Sequence, residues 1–233
     1  MRPDAFTWPD ELVARARRFY QQGGTPVTPR LAATVVLLRD TAAGVTAYLL
    51  RRPRSMTFAA GMYVFPGGAV DSVDRLGDQA GEVPEGMPPA VETLGQALRD
   101  IETAHAVVRA AVRETAEEAG VRLEAARLVP WARWITPEFE PRRYDTFFFL
   151  AALPSGRRTR RAAAEADQAL WIAPERALAR YRRGRMPMLP PTVMTLTELA
   201  SHRSVVEALA AGWRRDLTPV LPRIDINDID IDR

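Results

Sequence analysis

Apolar positions along the chain fall into two kinds of run. Leu12, Val13, Ala16 and Phe19 recur near helical spacing, which predicts an amphipathic helix over residues 9–22, ended by Gly23-Gly24. Ala32 to Leu38 is instead a continuous aliphatic and β-branched run, which predicts a buried strand. Asp40 to Gly44 reads as a turn and Ala47 to Arg51 as a second strand, so the pair forms a hairpin. Tyr63-Val64-Phe65 is a short strand that stops at Pro66-Gly67-Gly68. Further strands are predicted at about 124–135, at about 144–152 with Phe147-Phe148-Phe149-Leu150 as a central core segment, and at Ala169 to Ile172. Helices are predicted near 174–182, 191–200 and 203–211. The tail from Ile224 to Arg233 alternates Asp and Ile, which reads as an edge strand or a frayed end.

Two stretches interrupt this rhythm. From about residue 70 to 96, Gly77, Gly81, Pro84, Gly86, Pro88 and Pro89 stand among several acids without sustained periodicity, which predicts a long loop or insertion. A helix then begins between residues 97 and 104 and runs to Ala119, with Gly120 in the position of a C-cap glycine. Strands first, one central helix, more strands and then helices give an α+β sandwich.

Composition narrows the chemistry. The 233 residues are 47% apolar and 26% charged, ordinary for a globular chain. There is no cysteine, which excludes disulfides, thiolate metal sites and cysteine nucleophiles. All 32 basic residues are arginine, which excludes a Schiff-base lysine and a P-loop lysine. The net charge is only +3, and no arginine run is interleaved with aromatics beyond Arg142-Arg143-Tyr144, so nucleic acid is not the expected partner. No apolar stretch approaches the roughly 20 residues that span a bilayer, and the first residues lack a secretory layout. The expectation is a cytoplasmic protein with no membrane partner. A homodimer stays open.

The central helix carries the candidate chemistry. Glu114, Glu117 and Glu118 are spaced i, i+3 and i+4, close together on one side of a helix. Unpaired, they repel one another. A divalent cation removes that penalty, and carboxylate oxygens suit Mg²⁺ or Mn²⁺. Arg113 is within i, i+4 reach of Glu117, while Ala104, Val107, Val108, Ala111, Val112 and Thr115 form an apolar face. Upstream, Phe65-Pro66-Gly67-Gly68 is a strand that breaks into a glycine turn, where backbone groups can approach a metal or phosphate closely.

Residues 113–121 resemble the second half of the Nudix box, G-x5-E-x7-R-E-U-x-E-E-x-G-U with U apolar. Arg113, Glu114, Glu117, Glu118 and Gly120 match, Val121 fits the last U, and Thr115 departs mildly from the first. Gly68 matches the opening glycine. Asp74 stands where the pattern has Glu, and 38 residues separate it from Arg113 where the pattern has seven, an insertion of about 31. An insertion at this point is similar to that of peroxisomal coenzyme A diphosphatases, as is the run from Gly61 to Phe65-Pro66-Gly67-Gly68. The coenzyme A pattern retains Arg52 but departs at Pro53 and Thr57.

This resemblance implies a Nudix-type α/β/α sandwich with a mixed central sheet and additional C-terminal helices. It implies an N-terminal helical extension over 1–29, a Nudix domain over 30–185 with an insertion at about 70–100, and a C-terminal helical extension over 186–233. It also implies a Mg²⁺- or Mn²⁺-dependent hydrolase that cleaves the diphosphate of a nucleoside diphosphate linked to a group X, with coenzyme A or acyl-coenzyme A as one reading. ADP-ribose or NADH is an alternative substrate, and a non-catalytic ligand-binding module is an alternative role. Glu114 and Glu118 are then the chief metal ligands, Glu117 shares a second metal or acts as base, and a carbonyl of Gly67 or Gly68 adds a ligand. Arg113 orients a glutamate. Arg52, Gly67, Arg142 and Arg143 would contact substrate, and Glu138 and Glu140, in the loop 136–141, are further candidate bases.

Overall fold

The computed structural model describes residues 10–55, 59–76, 87–160, 166–222 and 224. Its centre is a mixed sheet built around two apolar runs long enough to be buried on both faces. They become β1 (Arg30–Thr41) and β6 (Tyr144–Ala152). These lie parallel, in register from Arg30 opposite Tyr144 to Leu38 opposite Ala152. β2 (Gly44–Arg51) folds back on β1 as the expected hairpin. β3 (Tyr63–Val64) and β7 (Gln168–Ile172) add antiparallel to β2, β4 (Gly67–Ala69) to β1, and β5 (Val129–Ile135) to β6.

Strand alternation divides the apolar residues between two cores. Val35, Leu37, Phe147 and Phe149 meet Leu94, Val107 and Ala111 from α3 (Pro89–Leu98) and α4 (Ile101–Ala119). Val36, Leu38, Phe148 and Leu150 face the other way. They meet Leu178, Leu196 and Ala208 from α5 (Pro174–Arg182), α6 (Pro190–Leu199) and α7 (Val205–Gly212). The sheet is therefore covered by helices on both faces, an α/β/α sandwich of the α+β class. α1 (Asp10–Gln21) packs elsewhere, burying Ala16 against Phe139.

Two expectations are corrected. The segment from 70 to 96 is not one continuous loop, because Ser72–Arg75 forms a short helix (α2) and α3 occupies Pro89–Leu98. Pro89 is at the first turn of α3, where its missing N–H costs nothing, and Ala90, Val91 and Leu94 supply a buried face. Proline read as a loop signal here marks a helix start. The strand expected from about 124 begins only at Val129, after a 3-10 turn at Ala125–Arg127. Apart from Ile224, the tail lies outside the described residues, as do residues 77–86 and Thr57.

Both ends of α4 are fixed. The Asp100 carboxylate accepts from Thr103 N–H at 3.0 Å and from its hydroxyl at 2.6 Å, and these bonds lower the Asp100 pKa. Gly120 closes the helix in the left-handed region, φ +67°, and its N–H donates to the Ala116 carbonyl at 3.1 Å. These caps set where the helix begins and ends, and its buried Ala104, Val107, Val108 and Ala111 set the face it turns to the sheet.

Candidate active site

The glycine turn and the last turns of α4 meet at the edge of β1. Gly67 pairs with Thr34 and Gly68 with Ala33. A Cβ on Gly67 would lie 2.7 Å from Thr34 Cα, and one on Gly68 would collide with the Glu114 carboxylate. Only glycine lets the strand and the helix approach this closely. The approach is used: Gly67 N–H donates to Glu118 Oε2 at 2.8 Å, and Glu118 is 7% exposed.

Arg113 ties the two halves of the site together. Its Nε and Nη2 donate to the two oxygens of Asp74 at 3.0 and 2.8 Å, and Nη2 also donates to the Ala69 carbonyl at 3.1 Å. Nη1 donates to Glu114 Oε1 at 2.8 Å and to Glu117 Oε2 at 3.1 Å. Asp74 is only 3% exposed. Its hydrogen bonds outweigh burial and raise the Arg113 pKa further above its ordinary value. The residue that departs from the box pattern thus holds the arginine across the insertion. One guanidinium thus contacts Asp74, Glu114 and Glu117 together.

A cavity of about 590 Å³ opens over this arrangement, lined by Glu114, Glu118, Gly67, Gly68, Arg52, Arg142 and Glu140 among others. Three of the expected site residues stand away from the cavity wall. Glu117 does not line the cavity; its side chain is 53% exposed and paired with Arg113. The reason is rotational, because successive helix residues point about 100° apart and Glu117 cannot share the direction of Glu118. Arg143 does not reach the cavity either. It is 8% exposed and donates to the carbonyls of Thr136 at 3.0 Å and Val27 at 2.8 Å, which makes it a structural tie. Arg142, next in the chain, takes the outward direction and lines the cavity. Glu138 is half-buried away from the cavity, whereas Glu140 lines it and is gripped by Arg15 Nη1 at 2.8 and 3.1 Å.

The donors at the site suit a hard divalent cation in one particular way. Among the described residues, no three acidic or histidine side chains converge as a preformed metal cage. Glu114 and Glu118, both from α4, line the cavity together, and Glu140, which lines it from the 136–141 loop, is paired with Arg15. Mg²⁺ is commonly bound by one or two carboxylates, with water and substrate phosphate completing the shell. The two α4 carboxylates fit that mode, in which the ligand to be cleaved supplies part of the coordination.

Some contributors gave no sequence signal. Leu12 from α1 and Leu189, Pro190 and Pro191 at the start of α6 line the same cavity. Their apolar character reads as ordinary core, and nothing local marks them as facing a ligand. No helix among the described residues is long and apolar enough to cross a membrane.

Comparison with known proteins agrees with this fold. Residues 100–190 match the sequence model of the NUDIX domain. The chain is 28% identical over 186 residues to "Putative nudix hydrolase 7" of Caenorhabditis elegans, covering 73% of this chain and 60% of that protein. The chain thus spans less than two thirds of the length of this relative. The crystal structure of a NUDIX hydrolase from Alicyclobacillus acidocaldarius superposes with a TM-score of 0.64 at 25% identity, over 79% of this chain and 96% of that one. The fold is a Nudix-type sandwich. Over residues 100–190 the chain is similar in sequence to the NUDIX domain.

Proposed function

We propose that this chain is a Mg²⁺- or Mn²⁺-dependent hydrolase that splits the diphosphate of a nucleoside diphosphate joined to a second group, X. The observation that carries this reading is the pairing of Glu114 and Glu118 in one cavity with the Gly67-Gly68 turn. A diphosphate brings several anionic oxygens that must be neutralised before water can attack. A divalent cation neutralises them and makes water a better nucleophile at neutral pH. Glu114 and Glu118 would hold it, with the Gly68 carbonyl as a further hard donor. Attack forms a new P–O bond at one phosphorus, breaks the bond to the bridging oxygen and releases two phosphate esters. The proton lost from water needs an acceptor. Glu140 is the candidate base, as the carboxylate from the 136–141 loop that lines the cavity.

Arg142 supports the same reading, because it lines the cavity and makes no ion pair among the described residues. A charge-assisted hydrogen bond to phosphate is worth about 1.5–3 kcal/mol. Arg142→Ala is therefore expected to raise KM about tenfold or more with a smaller change in kcat. An unchanged KM would make Arg142 a surface charge. Gly68→Ala forces a Cβ into the Glu114 carboxylate. Turnover should drop on the order of 100-fold, since an error of about 1 Å in placement costs that much. Full activity in a folded Gly68→Ala variant would show that Glu114 does not need its present position.

Within this substrate class, coenzyme A is the first compound to test, because Arg52, retained from the coenzyme A pattern, lines the cavity. The deciding experiment incubates the chain and Mg²⁺ or Mn²⁺ with coenzyme A, an acyl-coenzyme A, ADP-ribose, NADH and dinucleoside polyphosphates, with products read by mass. Release of 3′,5′-ADP and phosphopantetheine identifies coenzyme A as substrate. AMP from ADP-ribose or NADH identifies the alternative. No turnover of any compound with either metal would refute the hydrolase reading in favour of a binding module.

A further inference from the structure

Besides the carboxylates, the cavity has an apolar lining with different chemistry. This lining includes Leu12 of α1, Phe139, Leu189, Pro190 and Pro191 at the start of α6, and Pro222. Leu12, Pro191 and Pro222 lie outside the residues that match the NUDIX domain, and Leu189 and Pro190 are at its very end. The apolar lining is therefore built largely by segments flanking the shared domain. α1 is held against it at two points: Arg15 grips both oxygens of Glu140, and Ala16 is fully buried against Phe139. Leu12 is thereby fixed on the wall.

These residues offer carbon and few donors, while Glu140, Arg142 and Thr192 supply polar groups elsewhere in the same lining. Three of the former are prolines, which have no N–H, and two of these begin α6, where free helix N–H groups would otherwise collect. The nearby Thr136 hydroxyl is already engaged with the carbonyl and N–H of Tyr144. The edge of a second base, or the hydroxyls of a second sugar, would lose water against these carbon surfaces without replacement partners. An aliphatic chain would lose nothing and would be removed from water.

We infer that X carries an aliphatic chain, seated between α1 and the start of α6 while the diphosphate lies at Glu114 and Glu118. This specificity rests on the diphosphate hydrolase reading. It assigns the choice of substrate to Leu12, Leu189 and the prolines rather than to the box.

The test uses the full chain with Mg²⁺ and two probes, the β-ethyl and β-octyl esters of ADP. Each methylene taken from water is worth about fourfold. The octyl ester should show a kcat/KM at least about 30-fold above the ethyl ester, allowing for incomplete burial. Leu12→Asp and Leu189→Asp should each cut that ratio about tenfold or more. Both substitutions suit their helices: Leu12 is in the first turn of α1, and Leu189 is the N-cap of an α6 that has no side-chain cap. Equal kcat/KM for the two esters overturns the inference and leaves the hydrolase reading standing. A ratio that survives in both variants overturns the assignment to this apolar lining. Failure to split either ester, ADP-ribose or coenzyme A removes the hydrolase reading and the inference with it.

Discussion

Glu118→Gln is expected to lower kcat by about three orders of magnitude while leaving the fold intact. The side chain is 7% exposed and its Oε2 accepts from Gly67 N–H, a bond the amide oxygen of Gln can also accept. Size and packing are preserved, so the circular dichroism spectrum and the melting temperature should change little. What disappears is a negative charge facing the cavity. Electrostatic groups of this kind, when removed singly, cost about 10²–10³ in turnover, and a charged metal ligand belongs at the upper end. Steady-state kinetics at saturating Mg²⁺ measures the effect. Near-normal kcat in a folded variant would remove Glu118 from the machinery. The Gly67 bond would then be a purely structural tie between β4 and α4.

The second large effect is expected at Arg113, and it should appear in stability as well as activity. Arg113→Met leaves Asp74, 3% exposed, without its bidentate partner. Breaking a buried ion pair from one side typically costs about 3–5 kcal/mol, because the remaining charge is uncompensated. About 3 kcal/mol is expected here, since Asp74 also accepts from Asp71 N–H and Arg113 itself is partly exposed. Glu114 and Glu117 lose their common donor at the same time, so kcat should fall about 100-fold. Adding Asp74→Asn separates the two roles. It removes the orphaned charge and should recover most of the stability, but it cannot return Glu114 to its place, so activity should stay low. Urea denaturation and kinetics on the two variants measure this. Recovery of activity together with stability would mean that Arg113 acts only by holding the fold.

The fold was legible wherever burial alone dictates structure. β1 and β6 are continuous apolar runs, and a strand buried on both faces has no other appearance in a sequence. α4 is bounded by an aspartate cap and a left-handed glycine, so its end could be read to the residue. The helix α3 was obscured because Pro88-Pro89 is as much a helix start as a loop. Only the buried Ala90, Val91 and Leu94 decide between them.

The site was legible to a lesser depth. Residue types and spacing pointed to Arg113, Glu114 and Glu118 and to the glycine turn, because close backbone approach and carboxylate clustering need those residues. Spacing could not settle which glutamate of an adjacent pair turns outward, since that depends on how α4 rotates against β4. Nor could it separate Arg142 from Arg143, two identical neighbours of which one faces the cavity and one is buried. The contributions of Leu12 and Leu189 depend on contacts between segments distant in the chain. Arg15 to Glu140 is one such contact, and no local pattern records it.

Mn²⁺ binding, followed by electron paramagnetic resonance with and without a methylene-bridged, non-hydrolysable analogue of ADP-ribose, tests the central claim most directly. If Glu114 and Glu118 form half a coordination shell that the diphosphate completes, the analogue should tighten Mn²⁺ binding at least about tenfold. Glu114→Gln and Glu118→Gln should each abolish that gain. Equal Mn²⁺ affinity in the unaltered chain and both variants, with no response to the analogue, would contradict the account.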